Sequence, residues 1–579
     1  MSKQLAAVLV VLGIAAIALF WMFAPPPPPG KATDGQQATH SKSEGTSIKD
    51  RGADLKTLGD SPVGDKETAI GKESATGAMA EKSSDTESKD ATQTPQAVEE
   101  PVAPPAVKPL LAGWDNPAAV VVFSGEQHGY VEPCGCSLKQ LGGVSRRADF
   151  FRQLEDREYP LAAFDLGGLV NRPTRRQGKL KLQMSLHALR DMRYGGVALG
   201  AEELRNGIEL ITYEDRPPFL ACNIVIAGDP DLGLVIPKLV LTVGGKKLGV
   251  TSVFGKSMAA EILSQTDAAE VEVRDPLESL KKSIAELEAE QPDLLILLAH
   301  ARPEETKALA AEFPQLDIVA ATGGPEDPNP RPTFEGKTLW VWPGQKGKFL
   351  GVVGVFPEEG ANRLKFEAVA LDEDRFNEMP HMREHMRHYQ EMLELQKLVS
   401  TEQTIDYPRN AAESDTNEFL GAETCGECHP KAYKHWKTTG HARGSISLKQ
   451  GRPGQEATYI SRLHDPECVA CHVTGWDPKE FVRYRSGWSD EVSGAHLAGQ
   501  QCENCHGPGS RHVELERLLA QGADKADSTQ VDHWRDFLHL EVDKAFDLCA
   551  KCHDGDNDPH FHTPTFSEYW DKVKHPWRD

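Results

Sequence analysis

Hydrophobic and polar positions alternate with a different period in each part of the chain. Leu5 to Ala24 is an unbroken run of twenty residues without a charge or a strongly polar side chain. At helical rise that run reaches roughly 30 Å, the depth of a bilayer core. A cleaved signal peptide is the alternative reading. Its cleavage would fall near Ala24, but Pro25 to Pro29 follow at once and suit a processing protease poorly. The pattern favours an uncleaved transmembrane anchor over residues 1–24. Residues 25–113 then contain no Phe, Trp or Tyr and are rich in Pro, Ser, Thr, Gly, Lys and Glu. Such a segment cannot bury enough apolar surface to offset its ordering entropy, so a disordered linker is expected, spanning roughly 50 Å on average.

Over 114–373 short apolar runs suited to buried strands alternate with helical spacing. Strands are predicted at Ala118–Phe123, Leu161–Phe164, Val197–Leu199, Phe219–Ile224, Leu294–Ala299 and Ile318–Ala321. Helices are predicted at Gly143–Leu154, Lys179–Met192, Leu277–Ala289 and Pro303–Ala310. Leu239–Val253 and Leu339–Phe356 read as hairpins with Gly-rich turns. The expected fold is an α/β sandwich with mixed sheets. In the connector 374–416, Phe376, Met379, Met382, His385, Met386, Tyr389, Met392 and Leu393 recur at helical spacing. They predict a helix packed on a neighbouring domain, with a methionine ligand to haem as the alternative.

Hydrophobic residues make up 39% of the 579 positions, ample for a packed core, and the formal net charge is -23. So acidic a surface, with no basic segment, disfavours binding to nucleic acid. Eleven cysteines occur, none before Cys134, which excludes a disulfide-stapled miniprotein and an N-terminal lipoprotein cysteine.

Eight of those cysteines form four copies of C-x-x-C-H. They are Cys425 and Cys428 with His429, Cys468 and Cys471 with His472, Cys502 and Cys505 with His506, and Cys549 and Cys552 with His553. Two thiols three positions apart can add to the two vinyl groups of one haem, which holds the adjacent histidine beneath the iron as proximal ligand. A zinc ribbon or a set of disulfides would need no histidine after each pair. Four covalent c-type haems are therefore expected. Residues 425–579 also hold 14 of the 21 histidines, a surplus that suits six-coordinate irons. His441, His512 and His575 are the distal candidates, and the remaining histidines read as surface residues. Attachment of c-type haem takes place outside the cytoplasm. That places the N-terminus in the cytoplasm, a single-pass anchor in the inner membrane and the bulk of the chain in the periplasm or an equivalent space. Roughly 39 residues per haem are too few for an independent apolar core, so the 417–579 domain should be mainly helical and packed around its porphyrins.

From about Asn417 onward the chain resembles the tetrahaem cytochrome c that takes electrons from hydroxylamine oxidoreductase in nitrifying bacteria. The resemblance lies in C-G-E-C-H followed by Trp436 and His441-Ala442, in Glu467-Cys-Val-Ala-Cys-His-Val-Thr-Gly475, and in Cys502-Glu-Asn-Cys-His-Gly-Pro-Gly509 followed by His512. It implies that His512 caps the first haem, His441 the third and His575 the fourth. It also implies an iron at His472 without a protein distal ligand, unless His464 or His496 closes it.

The start of the middle domain resembles the periplasmic 5′-nucleotidase branch of the calcineurin-like metallophosphatases. The matching stretches are Val121 to Cys136, Gly142 to Arg147, Phe164 to Gly168, Gly196 to Glu203, Cys222-Asn223 and Leu297 to His300. The resemblance implies two metal ions held by D-x-H, G-D, G-N-H, a lone histidine and G-H-x-H. Here Glu126 replaces the first Asp, Gly168 the bridging Asp, and Ala201 and Glu202 the Asn and His. Thr322 to Pro325 stand where G-H-x-H is expected, while His128 and His300 remain. Two-metal hydrolysis needs both ions, so a pseudoenzyme is expected. The alternative is a single divalent ion held by Glu126, His128, Glu202 and His300. Cys134 and Cys136 read either as a soft-metal or redox site or as a structural pair, one of them bonded to Cys222.

The chain thus reads as a membrane-tethered periplasmic cytochrome that exchanges electrons with redox partner proteins. The alternatives are a redox enzyme acting on a small nitrogen or sulfur compound at an open haem, and a metal-dependent phosphoesterase fused to a cytochrome.

Overall fold

The computed structural model describes residues 109–579 apart from 134–138, 172–174, 206–210, 213–214, 264–270, 358–362, 409–416, 455, 523–526 and 576–579. The expected membrane anchor, most of the linker, Cys134 and Cys136 lie outside the described residues. Among the described residues no helix is long and apolar enough to cross a membrane.

Two mixed sheets make the middle domain. One runs, in spatial order, Leu364–Ala370, Phe349–Val355, Ala119–Ser124, Leu161–Asp165, Gly196–Ala198, Phe219–Leu220 and Val235–Ile236. The other runs Thr333–Glu335, Thr338–Val341, Ile318–Ala321, Leu294–His300, Lys246–Phe254 and Lys238–Val243. The continuous apolar runs follow from burial on both faces. Ala119, Val121 and Phe123 point into the core between the sheets, where they meet Leu248, Val250, Ile296 and Leu298. Val120 and Val122, one step out of phase, pack under the helices on the other side. On the second sheet Leu295, Leu297 and Ala299 face Leu280, Ile284 and Leu287 of the helix Pro276–Ala289. That helix starts where Pro276 follows Asp275, whose side chain accepts the Glu278 N–H at 3.0 Å. The layers are therefore helix, sheet, sheet, helix.

Two expectations need correction. Leu339–Phe356 is not a hairpin. Thr338–Val341 pairs in parallel with Ile318–Ala321, whereas Phe349–Val355 pairs antiparallel with Ala119–Ser124 in the other sheet. The segment Trp342 to Lys348 crosses between sheets, and Phe349–Val355 instead forms a hairpin with Leu364–Ala370. Phe219–Ile224 is likewise two strands, Phe219–Leu220 and Ile224–Ile226, in different sheets. Lys238–Val243 and Lys246–Phe254 do form the expected hairpin.

The connector helix Pro380–Leu395 buries Met382, Met386, Tyr389 and Leu393 against the middle domain. The C-terminal part consists of short helices around one small apolar cluster that includes Val469, Trp476, Tyr484 and Trp488. The helices Ser510–Ala520 and Phe566–Val573 have no fully buried side chain.

Candidate haem sites and the residual phosphatase-like pocket

Each C-x-x-C-H motif begins on a single helical turn, at Ala422–Gly426, Pro466–His472, Cys502–His506 and Ala545–Cys549. That puts the two cysteines of a motif on one face. Among the described residues no cysteine is in a disulfide, Cys222 included. The histidines following three motifs have their Nδ1 atoms engaged. His472 Nδ1 lies 3.0 Å from the Gly444 carbonyl and 3.2 Å from Ser447 Oγ. His506 Nδ1 donates to the Leu538 carbonyl at 2.7 Å, and His553 Nδ1 to the Asp558 carboxylate at 2.8 Å. These acceptors fix the proton on Nδ1 and leave Nε2 as a lone pair, the tautomer an iron ligand requires. Burial holds His441, His506 and His512 below the ordinary histidine value, in the neutral form that ligation also requires.

The distal candidates come to the motif histidines in pairs. The rings of His441 and His553 have centroids 6.2 Å apart, and those of His506 and His575 lie 6.0 Å apart. His512 lies within electrostatic reach of His429. Two imidazoles on opposite faces of one iron, each bonded at about 2 Å, have centroids roughly 6 Å apart. Two of these neighbours differ from the partnerships that the resemblance implies. His441 faces the fourth motif instead of the third, and His575 faces the third instead of the fourth. Tertiary contacts decide this. The turn carrying His441 is held where its carbonyl accepts the Gln500 N–H at 3.0 Å. Trp436 Nε1 donates to the Gln500 carbonyl at 2.7 Å. His464 is directed to Glu394 at 3.5 Å. Cys425 lies close to Cys502, and Cys505 close to Cys549. His441 senses both His553 and His472.

The residual pocket of the middle domain forms where its strands end. Glu126 and His128 follow Ala119–Ser124, Gly168 follows Leu161–Asp165, Glu202 follows Gly196–Ala198, and His300 ends its own strand. Glu126 and His128 both sit at positive φ, 47° and 49°, a strained conformation for such side chains. His300 Nε2 lies 3.8 Å from Glu202, and Glu126 and His128 lie within electrostatic reach of both. Burial raises Glu126 and lowers His128. Two of the four, however, bond to the protein. Glu126 accepts the Gly323 N–H at 2.9 Å. His300 Nδ1 donates to the Leu166 carbonyl at 2.7 Å while its Nε2 accepts the Ala201 N–H at 3.4 Å, so both ring nitrogens are engaged. Among the described residues no three His, Cys, Asp or Glu side chains are grouped to hold a metal ion. Beside Gly168, buried Glu203 accepts main-chain N–H groups from Gly168, Leu169 and Gly200 at 3.2, 2.8 and 3.0 Å. Nothing in the motif pattern had pointed to Glu203 in that role.

A second set of residues missed by sequence reasoning joins the two domains. Asp465 caps the helix of the second motif and accepts from Gln177 at 2.7 Å and Gln390 at 2.9 Å. Lys181 pairs with Glu467 at 2.6 Å. Burial would lower the Lys181 ammonium, but the Glu467 and Asp465 carboxylates hold it above its ordinary value. Arg462 pairs with Glu132 at 2.5 Å. Asp556, just after the fourth motif, accepts from Lys346 at 2.8 Å and Tyr130 at 2.9 Å, and its carbonyl from Gln140 at 2.7 Å.

Residues 424–507 match the family of cytochrome c554 and c-prime, a span that takes in the first three motifs. Cytochrome c-554 of Nitrosomonas europaea is 32% identical over 143 residues, 23% of this chain and 57% of that protein. The snake venom 5′-nucleotidase of Naja atra is 26% identical over 190 residues, 31% of this chain and 34% of that enzyme. Among solved structures, a 5′-nucleotidase precursor from Thermus thermophilus is 21% identical, with a TM-score of 0.42, covering 50% of this chain and 60% of that one. The chain spans little more than half of the cytochrome's length and about a third of the nucleotidase's.

Over its α/β middle domain the chain is thus similar to 5′-nucleotidases, and over residues 424–507 to the family of cytochrome c554 and c-prime. A cytochrome of this family implies c-type haem. The donor set fits it, because thiols three positions apart, motif histidines with Nδ1 engaged, and facing imidazoles at the separation one iron sets all occur together.

Proposed function

We propose that this protein is a membrane-tethered, periplasmic c-type cytochrome that passes electrons through four covalent haems between redox partner proteins. Cys425 and Cys428, Cys468 and Cys471, Cys502 and Cys505, and Cys549 and Cys552 would carry the haems. His429, His472, His506 and His553 would be the proximal ligands, and His512, His575 and His441 the distal ligands at His429, His506 and His553. When bound, each haem supplies a one-electron couple. The polypeptide holds the neutral imidazoles in place and excludes water from them. The single observation that carries this reading is the pairing of His441 with His553 and of His506 with His575 at 6.2 and 6.0 Å.

In this reading the middle domain does not hydrolyse phosphoesters. Its His300 is committed to Leu166 and Ala201, and Gly168 stands where a bridging carboxylate would be. It serves instead as the platform on which the second and fourth motifs dock. Residues 1–24 anchor the chain, and 25–113 give it reach. Intact mass and pyridine haemochrome titration of the purified protein test the proposal, with four haems per chain expected. A colourless protein with the mass of the bare chain would refute it. Phosphatase assays with manganese should show no turnover, and deleting residues 1–24 behind a cleavable export signal should release a coloured, soluble product.

A further inference from the structure

We propose that Asp558 lowers the reduction potential of the haem carried by Cys549 and Cys552, acting through His553; this rests on the haem reading above. The acceptors of the Nδ1 protons differ in charge between motifs. His472 and His506 reach main-chain carbonyls, whereas His553 donates to the Asp558 carboxylate at 2.8 Å. A hydrogen bond to a full negative charge is stronger than one to a neutral carbonyl. It draws the Nδ1 proton away and makes Nε2 the more basic donor, and a more basic axial nitrogen favours the ferric over the ferrous state. The couple concerned is a one-electron change at the metal. No bond forms or breaks, and the proton stays between Nδ1 and the carboxylate.

Asp558 is itself held in place. Its other oxygen accepts the Tyr569 hydroxyl at 3.0 Å, and its N–H donates to the Asp554 carbonyl at 2.7 Å. The Asp554 side chain in turn accepts the Asp556 and Asn557 N–H groups at 3.2 and 2.9 Å. Phe561 and Tyr569 flank the His553 ring with centroids at 5.4 and 5.6 Å. The Asp556 contact with Lys346 pins the same loop to the middle domain.

The two partners of the carboxylate predict opposite signs. Asp558→Asn replaces the charge by a neutral acceptor, so one midpoint potential should move positive. Tyr569→Phe keeps the ring but removes a competing donor, leaves more charge for His553 and should move the same midpoint negative. The experiment is a spectroelectrochemical titration of the full-length holoprotein and both variants, with covalent haem counted by intact mass. One midpoint moving in opposite directions in the two variants, with the others still, is the expected result. Variants that keep all their haems but show no shift, shift every midpoint together, or shift one midpoint in the same direction would overturn the role of Asp558. Should Asp558→Asn not assemble, the Tyr569→Phe titration decides alone, a negative move of one midpoint supporting the proposal and any other result overturning it. Wild-type protein without covalent haem would instead overturn the haem reading.

Discussion

Glu203 is a buried carboxylate whose burial, with Glu202 nearby, pushes it from 4.5 up to about 8, against the N–H groups of Gly168 and Leu169 that pull it down. Between those two values the folded chain holds a proton that the unfolded chain has released. Stability should therefore decline as pH rises from about 4.5 to about 8 and level off above. In Glu203→Gln the melting temperature should change less between pH 5 and pH 8 than in the parent, which calorimetry at both values would show. Lys181 is a second buried charge with a defined partner. Lys181→Ala leaves Glu467 half-buried without its ammonium, and about 3 kcal/mol of stability should be lost in denaturant titration. Neither residue could be singled out from sequence, where a Glu beside a helix start and a Lys on an amphipathic helix are ordinary. What marks them is the chain folded over them.

At the scale of single elements, legibility depended on whether local periodicity was enough. Ile318–Ala321 was predicted to the residue, and the helix Pro276–Ala289 to within one, because Asp275, Pro276 and the Leu280, Ile284, Leu287 stripe all point the same way. Ile284→Ala should cost about 3 kcal/mol by leaving a cavity against Leu295 and Leu297. The false hairpin at Leu339–Phe356 shows the limit. Two apolar runs with a Gly-rich joint look the same whether they pair with each other or with strands of different sheets. The same holds for the short helix before His575, whose partner motif depends on how the helix is folded back. His441→Ala and His575→Ala should each convert one low-spin haem to high spin. Low-temperature paramagnetic resonance would detect this, and an unchanged spectrum in either variant would refute that pairing.

At the scale of the whole molecule, the middle domain and the cytochrome domain share polar contacts concentrated at the second and fourth motifs. Lys346 and Asp556 are each about one-fifth exposed, so their pair is partly shielded from solvent. A double-mutant cycle of Lys346→Ala and Asp556→Ala should give a coupling of about 1 kcal/mol, read from the thermal loss of the haem absorbance envelope. Additive single effects would mean that the contact does not couple the domains.

The amino-acid sequence by itself determined the motifs and the layers: four C-x-x-C-H motifs, a surplus of histidine beside them, and an α/β pattern in the middle. These are local properties, set by spacing within a few residues. Only the tertiary structure decided which histidine faces which motif, that His300 bonds to Leu166 and Ala201, and that Asp558 turns to His553 while Asp556 turns to the middle domain. Those depend on residues brought together from distant parts of the chain, and no periodicity encodes a contact between segments that the fold alone makes neighbours.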